Sequence, residues 1–267
     1  MEKTTGEYAD VFPNITKYRR LYPKIRLSHT LLEKFRKNAA SFPTSEEAVR
    51  YLLGIRGAQG IHMELGSYVH DFLDSSEGEQ KYPHGLKYLF TGENRKKLLA
   101  GDFETEKKLV IPFGEYSELV AQPDMILGDA LVDYKTGTST PKPSQLQLYH
   151  YILSRAGYNI RSAVFVNIDL IVNGYSVKAL MEEAKISGLV EYDLWARQRE
   201  IVHGAIASDK QKTVLGIFNS FVSFAGYSLY ETEIEEKARN VERLILGYLP
   251  ELANYEAYYI EQGELQE

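Results

Sequence analysis

"QPDMILGDALVDYKTG", residues 122–137, places two aspartates and a lysine inside an otherwise apolar run. Gly128-Asp129 divides the run, and a Gly-led pair of this kind suits a two-residue hairpin turn. With that turn, Leu127 faces Ala130, Ile126 faces Leu131, and Asp124 comes to lie across from Asp133. Their Cβ atoms would be roughly 4.5–5.5 Å apart, and bare like charges so placed destabilise a sheet. Side chains alternate along a strand, so Lys135 joins the two acids on one face. Either the acids share a divalent cation with the lysine beside it, or Asp133 and Lys135 are edge-strand charges and Asp124 simply follows Pro123 at a strand start.

Outward from the hairpin, periodicity predicts the neighbouring elements. Residues 28–38 read as a short helix with Ser28 as N-cap. Residues 45–53 and 61–74 read as helices, the second with an apolar stripe of Leu65, Val69, Phe72 and Leu73. "ETEKKLVIPF" (104–113) reads as a strand leading into the hairpin. "SQLQLYHYILSRAG" (144–157) reads as a helix, with Ser144 and Gln147 as a capping box and Gly157 as its stop. "SAVFVNIDLIV" and "YSVKALMEE" read as two strands turning at Asn173-Gly174. From about 188 onward the pattern is helical, over "EYDLWARQREIVHGAIA" (191–207), then 211–225 and 231–262. This order predicts an α/β (α+β) chain whose mixed sheet carries packed helices.

Composition narrows the class. No apolar run approaches the roughly 18 residues of a membrane span, and "MEKTTGEYADVF" has no apolar signal segment. The expectation is a cytoplasmic, intracellular protein with no membrane partner. The chain holds no cysteine, so disulfides and thiolate-held iron–sulfur clusters are excluded. The formal net charge of -6 argues against a nucleic-acid partner until its distribution is read. Residues 231–267 carry ten Glu against Lys237, Arg239 and Arg243, so the remainder is close to neutral. Within it, "KYRRLYPKIRLSHTLLEKFRK" (17–37) is strongly basic and interleaved with aromatics. Tyr18, Arg19, Arg20, Lys24 and Arg26 are candidates for binding a single strand, whose phosphates want cations and whose bases want flat partners. A solvated helix face with core aromatics accounts for the same composition.

Asp124 followed by Asp133-Tyr134-Lys135 resembles the PD-(D/E)xK nuclease signature. Its flanks make the likeness more specific. "ELGSYVHDFLD" resembles the GxxxH helix motif of the RecB-like branch, through Gly66 and His70, and "QLQLY" resembles its QxxxY motif, through Gln145 and Tyr149. Singly, a helical His is commonly a core or capping residue, and a Gln-Tyr pair one turn apart is ordinary helix surface. Together, four motifs in order on elements of the expected type point to one site. The resemblance covers about 60–200, with "RLSHTLLEKF" weakly similar to the family's opening helix.

That resemblance implies a restriction-endonuclease-like mixed β-sheet core flanked by helices. One domain would span 1–267, with its core at about 60–200, a helical N-terminal segment at 1–59 and an acidic helical extension from about 205. It implies His70, Asp124, Asp133 and the main-chain carbonyl of Tyr134 as ligands of Mg²⁺ or Mn²⁺, with Gly66 allowing close helix approach. Lys135 would be the catalytic lysine, Gln145 would hold Lys135 or the phosphate, and Tyr149 would pack beside the site or touch the strand. Many relatives carry an iron–sulfur cluster on four cysteines; this chain is similar to the cluster-free members.

The expected activity is a metal-dependent DNA nuclease hydrolysing phosphodiester bonds. An exonuclease on single-stranded DNA or DNA ends, in recombination, repair or replication, is favoured. A structure-specific endonuclease and a non-catalytic DNA-binding subunit are the alternatives, and RNA stays open because nothing visibly addresses a 2′-OH. There is no G-x-x-x-x-G-K-[ST] sequence, so a helicase or recombination protein would be a separate partner.

Overall fold

The computed structural model describes residues 25–38, 46–55, 60–74, 86, 89–136, 142–207, 213–224 and 229–264. The chain begins with β1 (Ile25–Ser28), α1 (His29–Asn38), α2 (Glu46–Leu52), α3 (Ile61–Asp74) and α4 (Gly92–Ala100). Then come β2 (Glu104–Thr105), β3 (Leu109–Phe113), β4 (Ser117–Ala121), β5 (Met125–Leu127), β6 (Ala130–Lys135) and α5 (Pro143–Arg155). It continues through β7 (Ser162–Val172), β8 (Tyr175–Ser176), α6 (Val177–Ile186) and α7 (Glu191–Ala207). β9 (Thr213–Ser223), α8 (Leu229–Gly247) and α9 (Leu249–Glu261) complete it. No helix among the described residues is long and apolar enough to cross a membrane.

The architecture is mixed α/β, but the expected single sheet is two. The smaller has the order β1-β4-β3, with β1 parallel to β4 and β3 antiparallel to it. The larger runs β2-β5-β6-β7, with β9 along the far edge of β7 and β8 pairing its last two residues. Two breaks in the predicted strands cause the division. Between β2 and β3, Glu106 adopts φ 49, a left-handed conformation that ends a strand and redirects the chain. Between β4 and β5 stands Pro123, which cannot donate to a ladder. "ETEKKLVIPF" and "ELVAQPDMIL" therefore each cross from one sheet to the other.

The hairpin itself forms as its sequence predicts. Met125 pairs with Val132, Ile126 with Leu131, and Leu127 with Ala130. Gly128 has φ 60; of the two turn residues only it is positive, as in a II′ turn.

Two further expectations are corrected. "YSVKALMEE" is a strand for two residues only, because the Ser176 hydroxyl accepts from the Ala179 N–H and starts α6, whose residues are good helix formers. The helix expected over 211–225 is not what its described residues form. Thr213–Ser223 form β9, antiparallel to β7 along its whole length, where β-branched and aromatic residues fit a pleated surface. The helix over 144–157 starts one residue early: Pro143 occupies its first turn and Lys142 is the N-cap, so Ser144 is not a capping residue and instead meets His29 Nε2 at 3.2 Å.

α5 lies between the sheets. Leu148, Tyr151 and Ile152 pack with Leu119, Phe113 and the α1 residues Leu31 and Phe35. On its other side Leu146 and Leu153 meet Ile126, Leu131 and Phe165 of the larger sheet. The opposite face of that sheet is covered by α3, α4, α6 and α7, through residues such as Leu65, Val69, Leu98, Met181 and Val202.

Candidate metal centre

β6 separates its side chains by parity. Val132 and Tyr134 enter the core on the α3 side, so Asp133 and Lys135 face α5, as alternation requires. Asp124, next to β5, is brought to the same place: the Tyr134 N–H donates to Asp124 Oδ2. The carbonyl of a strand residue leaves on the edge its N–H uses, which turns the Tyr134 carbonyl toward β5.

His70 arrives from the end of α3. Its Nδ1 lies 3.9 Å from Asp124 Oδ1, and its ring meets the Tyr134 ring edge-on at 5.7 Å between centroids. α3 passes close to the strand ends at Gly66, where a Cβ would stand 3.3 Å from Thr136 Oγ1.

Sequence reasoning missed a third acid. Glu106 Oε1 lies 3.4 Å from His70 Nδ1, and one ligand atom from each of His70, Glu106 and Asp124 lies within 4.8 Å of the others. Its position follows from the backbone: the Glu106 N–H donates to the Asp124 carbonyl at 3.2 Å. In "ETEKK" it looks like a solvated charge, and no local signal marks the kink that turns it inward.

Asp133 stands beside this trio and is held by other groups. It is 2% exposed, its Oδ2 meets the Lys135 ammonium, and its Oδ1 accepts from Gln145 Nε2 at 2.9 Å. The same Gln145 Nε2 donates to Tyr149 Oη at 3.1 Å. Lys135 also sits over the Phe165 ring, 5.6 Å from its centroid. Gln145 therefore braces Asp133, and Tyr149 braces Gln145.

The electrostatics reflect crowded, desolvated acids. Burial, and then the charge of Asp133, push the Asp124 carboxyl well above its usual range, against the pull of the Tyr134 N–H and Lys135. Burial also raises Asp133, while the Lys135 ammonium pulls it back. Burial raises the Tyr149 phenol, which stays protonated.

The donor set fits a divalent cation. Ligands about 2.1 Å from an octahedral ion stand roughly 3 Å apart when adjacent and roughly 4.2 Å apart when opposite. The spacings of 3.4 and 3.9 Å lie between those limits.

Of the candidate strand-binding residues, Tyr18, Arg19, Arg20 and Lys24 lie outside the described residues. Arg26, on β1, has its side chain 65% exposed and stands 3.9 Å from Glu118, its partner across the ladder. Phe35, from the same basic-aromatic stretch, is a core residue. Compared with family models, curated proteins and solved structures, the chain matches none.

Proposed function

We propose that this chain is a divalent-cation-dependent nuclease of the PD-(D/E)xK, RecB-like kind. It would act on DNA, at single strands or ends. One observation carries the reading: His70, Glu106 and Asp124 gather within 4.8 Å of one another, next to a lysine held against a buried aspartate. Asp124 and Asp133 are desolvated beside each other, which is costly unless something compensates them, and a shared cation is one compensation.

His70, Glu106 and Asp124 would hold the ion, with the Tyr134 carbonyl and Asp133 as further candidate ligands. When bound, a divalent cation draws negative charge off a phosphate and eases its attack by water. The Lys135 side chain would meet a phosphate oxygen gaining charge. Asp133 and the Phe165 ring fix the direction of that ammonium, and Gln145 fixes Asp133. The preference for DNA ends rests on the likeness of the Gly66/His70 and Gln145/Tyr149 motifs to the end-processing branch.

An end-labelled panel tests this: single strand, duplex, flap, closed circle and an RNA strand, in Mn²⁺ and in EDTA. Cleavage of linear DNA in Mn²⁺, lost in EDTA and sparing circles, is the expected result. Cut circles would make the protein an endonuclease. Mn²⁺ bound at His70 with no substrate cut would leave a DNA-binding subunit without catalysis.

A further inference from the structure

A second charged cluster lies at the N-terminal end of α5. Glu33 of α1, a largely buried acid, accepts from Lys237 Nζ of α8 at 2.7 Å and from Lys142 Nζ at 3.2 Å. The two ammoniums come from separate elements and converge on one carboxylate. An ammonium carries three donors, and among the described residues Glu33 is the partner shown for each. Both lysine side chains remain partly exposed, 47% for Lys142 and 30% for Lys237.

His29 and Ser144 close the gap to the metal centre. His29 Nε2 meets Ser144 Oγ at 3.2 Å, and the next residue, Gln145, is the one that grips Asp133. Burial drops the His29 pKa to about 4, and the ammoniums of Lys237, Lys135 and Lys142 all press the same way, against Glu33. A neutral imidazole therefore sits among three cations, one of them the candidate catalytic lysine. Lys142 stands three residues, about 4.5 Å of helix axis, before Gln145, the residue that grips Asp133.

On the basis of the nuclease reading, we infer that Lys142 and Lys237, paired on Glu33 beside His29 and Ser144, form an anion subsite that holds a phosphate of the nucleic-acid strand next to the one being cleaved. Lys142 and Lys237 outnumber the one acid they share, and the positive end of α5 lies beside Lys142. Lys237 also borders an open cavity of about 310 Å³ between α1 and α8, so it can be reached from outside. Glu233 and Glu236 line that cavity and repel phosphate, which restricts the subsite to the edge of Lys237 facing α5.

The test is equilibrium binding of a fluorescein-labelled single-stranded deoxyoligonucleotide to the full chain in EDTA, titrated against NaCl. Lys142→Gln and Lys237→Gln should each weaken binding severalfold, and the double variant should flatten the slope of log K against log[salt] by about 0.7, the loss of one phosphate contact. Glu33→Gln should tighten binding, because it removes the competing negative charge; a purely structural ion pair would not give opposite signs for acid and lysines. Lys96→Gln, an exposed lysine on α4, should change nothing. A larger loss with a 5′-phosphate than with a 5′-hydroxyl assigns a terminal phosphate, and equal losses assign an internal one. An unchanged slope in a double variant that melts like the parent overturns the subsite, and if the parent still cleaves in Mn²⁺ it leaves the nuclease reading intact. A parent chain that neither cleaves nor binds removes both.

Discussion

Glu106 and Asp124 are joined through their backbones, and both bring a carboxylate to His70 Nδ1. The Glu106 N–H donates to the Asp124 carbonyl at 3.2 Å, at the point where the chain leaves the larger sheet with a positive φ. A strand end that only redirected the chain would not need an acid aimed at His70.

Glu106→Gln therefore tests whether the trio is a site. Its side chain is 39% exposed, so folding should be little affected. Cation affinity should fall by at least about tenfold, since loss of a group merely supporting a ligand already costs about that much. Calorimetry with Mn²⁺ reads this, and an unchanged affinity would exclude Glu106 as a ligand.

Lys135→Met should abolish cleavage while Mn²⁺ still binds. Asp133 then loses the cation that holds its carboxyl down, and burial raises it further. A carboxyl raised in the folded state contributes stability below its unfolded pKa and loses it as pH climbs through the folded value. The variant's deficit against the parent should thus grow with pH above about 4. Urea midpoints across pH measure it, and a deficit that is flat with pH would contradict this view of the pair.

The same sign applies to Asp124 in the parent protein. Burial and Asp133 push it well above the usual range, so the cation-free fold retains a proton that the unfolded chain releases. In EDTA, melting temperature should decline as pH rises from about 4 toward neutrality. Excess Mn²⁺ should reverse that decline, because binding needs the ionised carboxyls and releases the proton. Melting curves that rise with pH in EDTA would show the acids to be ordinary salt-bridge partners.

The hairpin was legible because period-two alternation and Gly128-Asp129 agree, and the pairing of Leu127 with Ala130 follows from them. His70, Gln145 and Tyr149 were legible only as members of a pattern, since each is unremarkable alone. Glu106 was not legible: a single left-handed residue turned it inward, and its neighbours Lys107 and Lys108 suggest solvent. β9 was misread for a different reason. "TVLGIFNSFVS" is apolar at spacings that suit either a helix or a buried strand, and only pairing with β7 decides between them.

Gly128→Ala should destabilise the hairpin. A Cβ there would meet Asn94 Oδ1 at 2.5 Å and Lys97 Cδ at 3.2 Å, on a backbone with φ +60. The clash falls on the hydrogen bond that Asn94 Nδ2 makes to Asp129 Oδ1 at 2.8 Å, which ties α4 to the turn. The left-handed backbone alone costs roughly 1–2 kcal/mol, and displacing Asn94 adds to it. Urea unfolding reads the loss, and Asn94→Ala should recover part of it in the double variant.

The acidic C-terminal region reads from sequence as an extension, and its packing gives a sharper expectation. β9 pairs with β7 over every residue of both strands. Val241, Ile245, Leu249, Leu252 and Tyr259 of α8 and α9 are buried in the same core as Leu31 and Phe35 of α1 and Leu119 of β4. Each such side chain contributes roughly 1.5–3 kcal/mol of burial, and together they approach the ~5–15 kcal/mol net stability of a whole domain. A chain ended after residue 207 should therefore give no cooperative unfolding transition by circular dichroism and should bind no Mn²⁺ at the His70 trio. If that fragment instead unfolds cooperatively and still binds the ion, the region after 207 is an accessory to a core that stands without it, and the burial of Ile245 and Leu249 contributes far less than its extent implies.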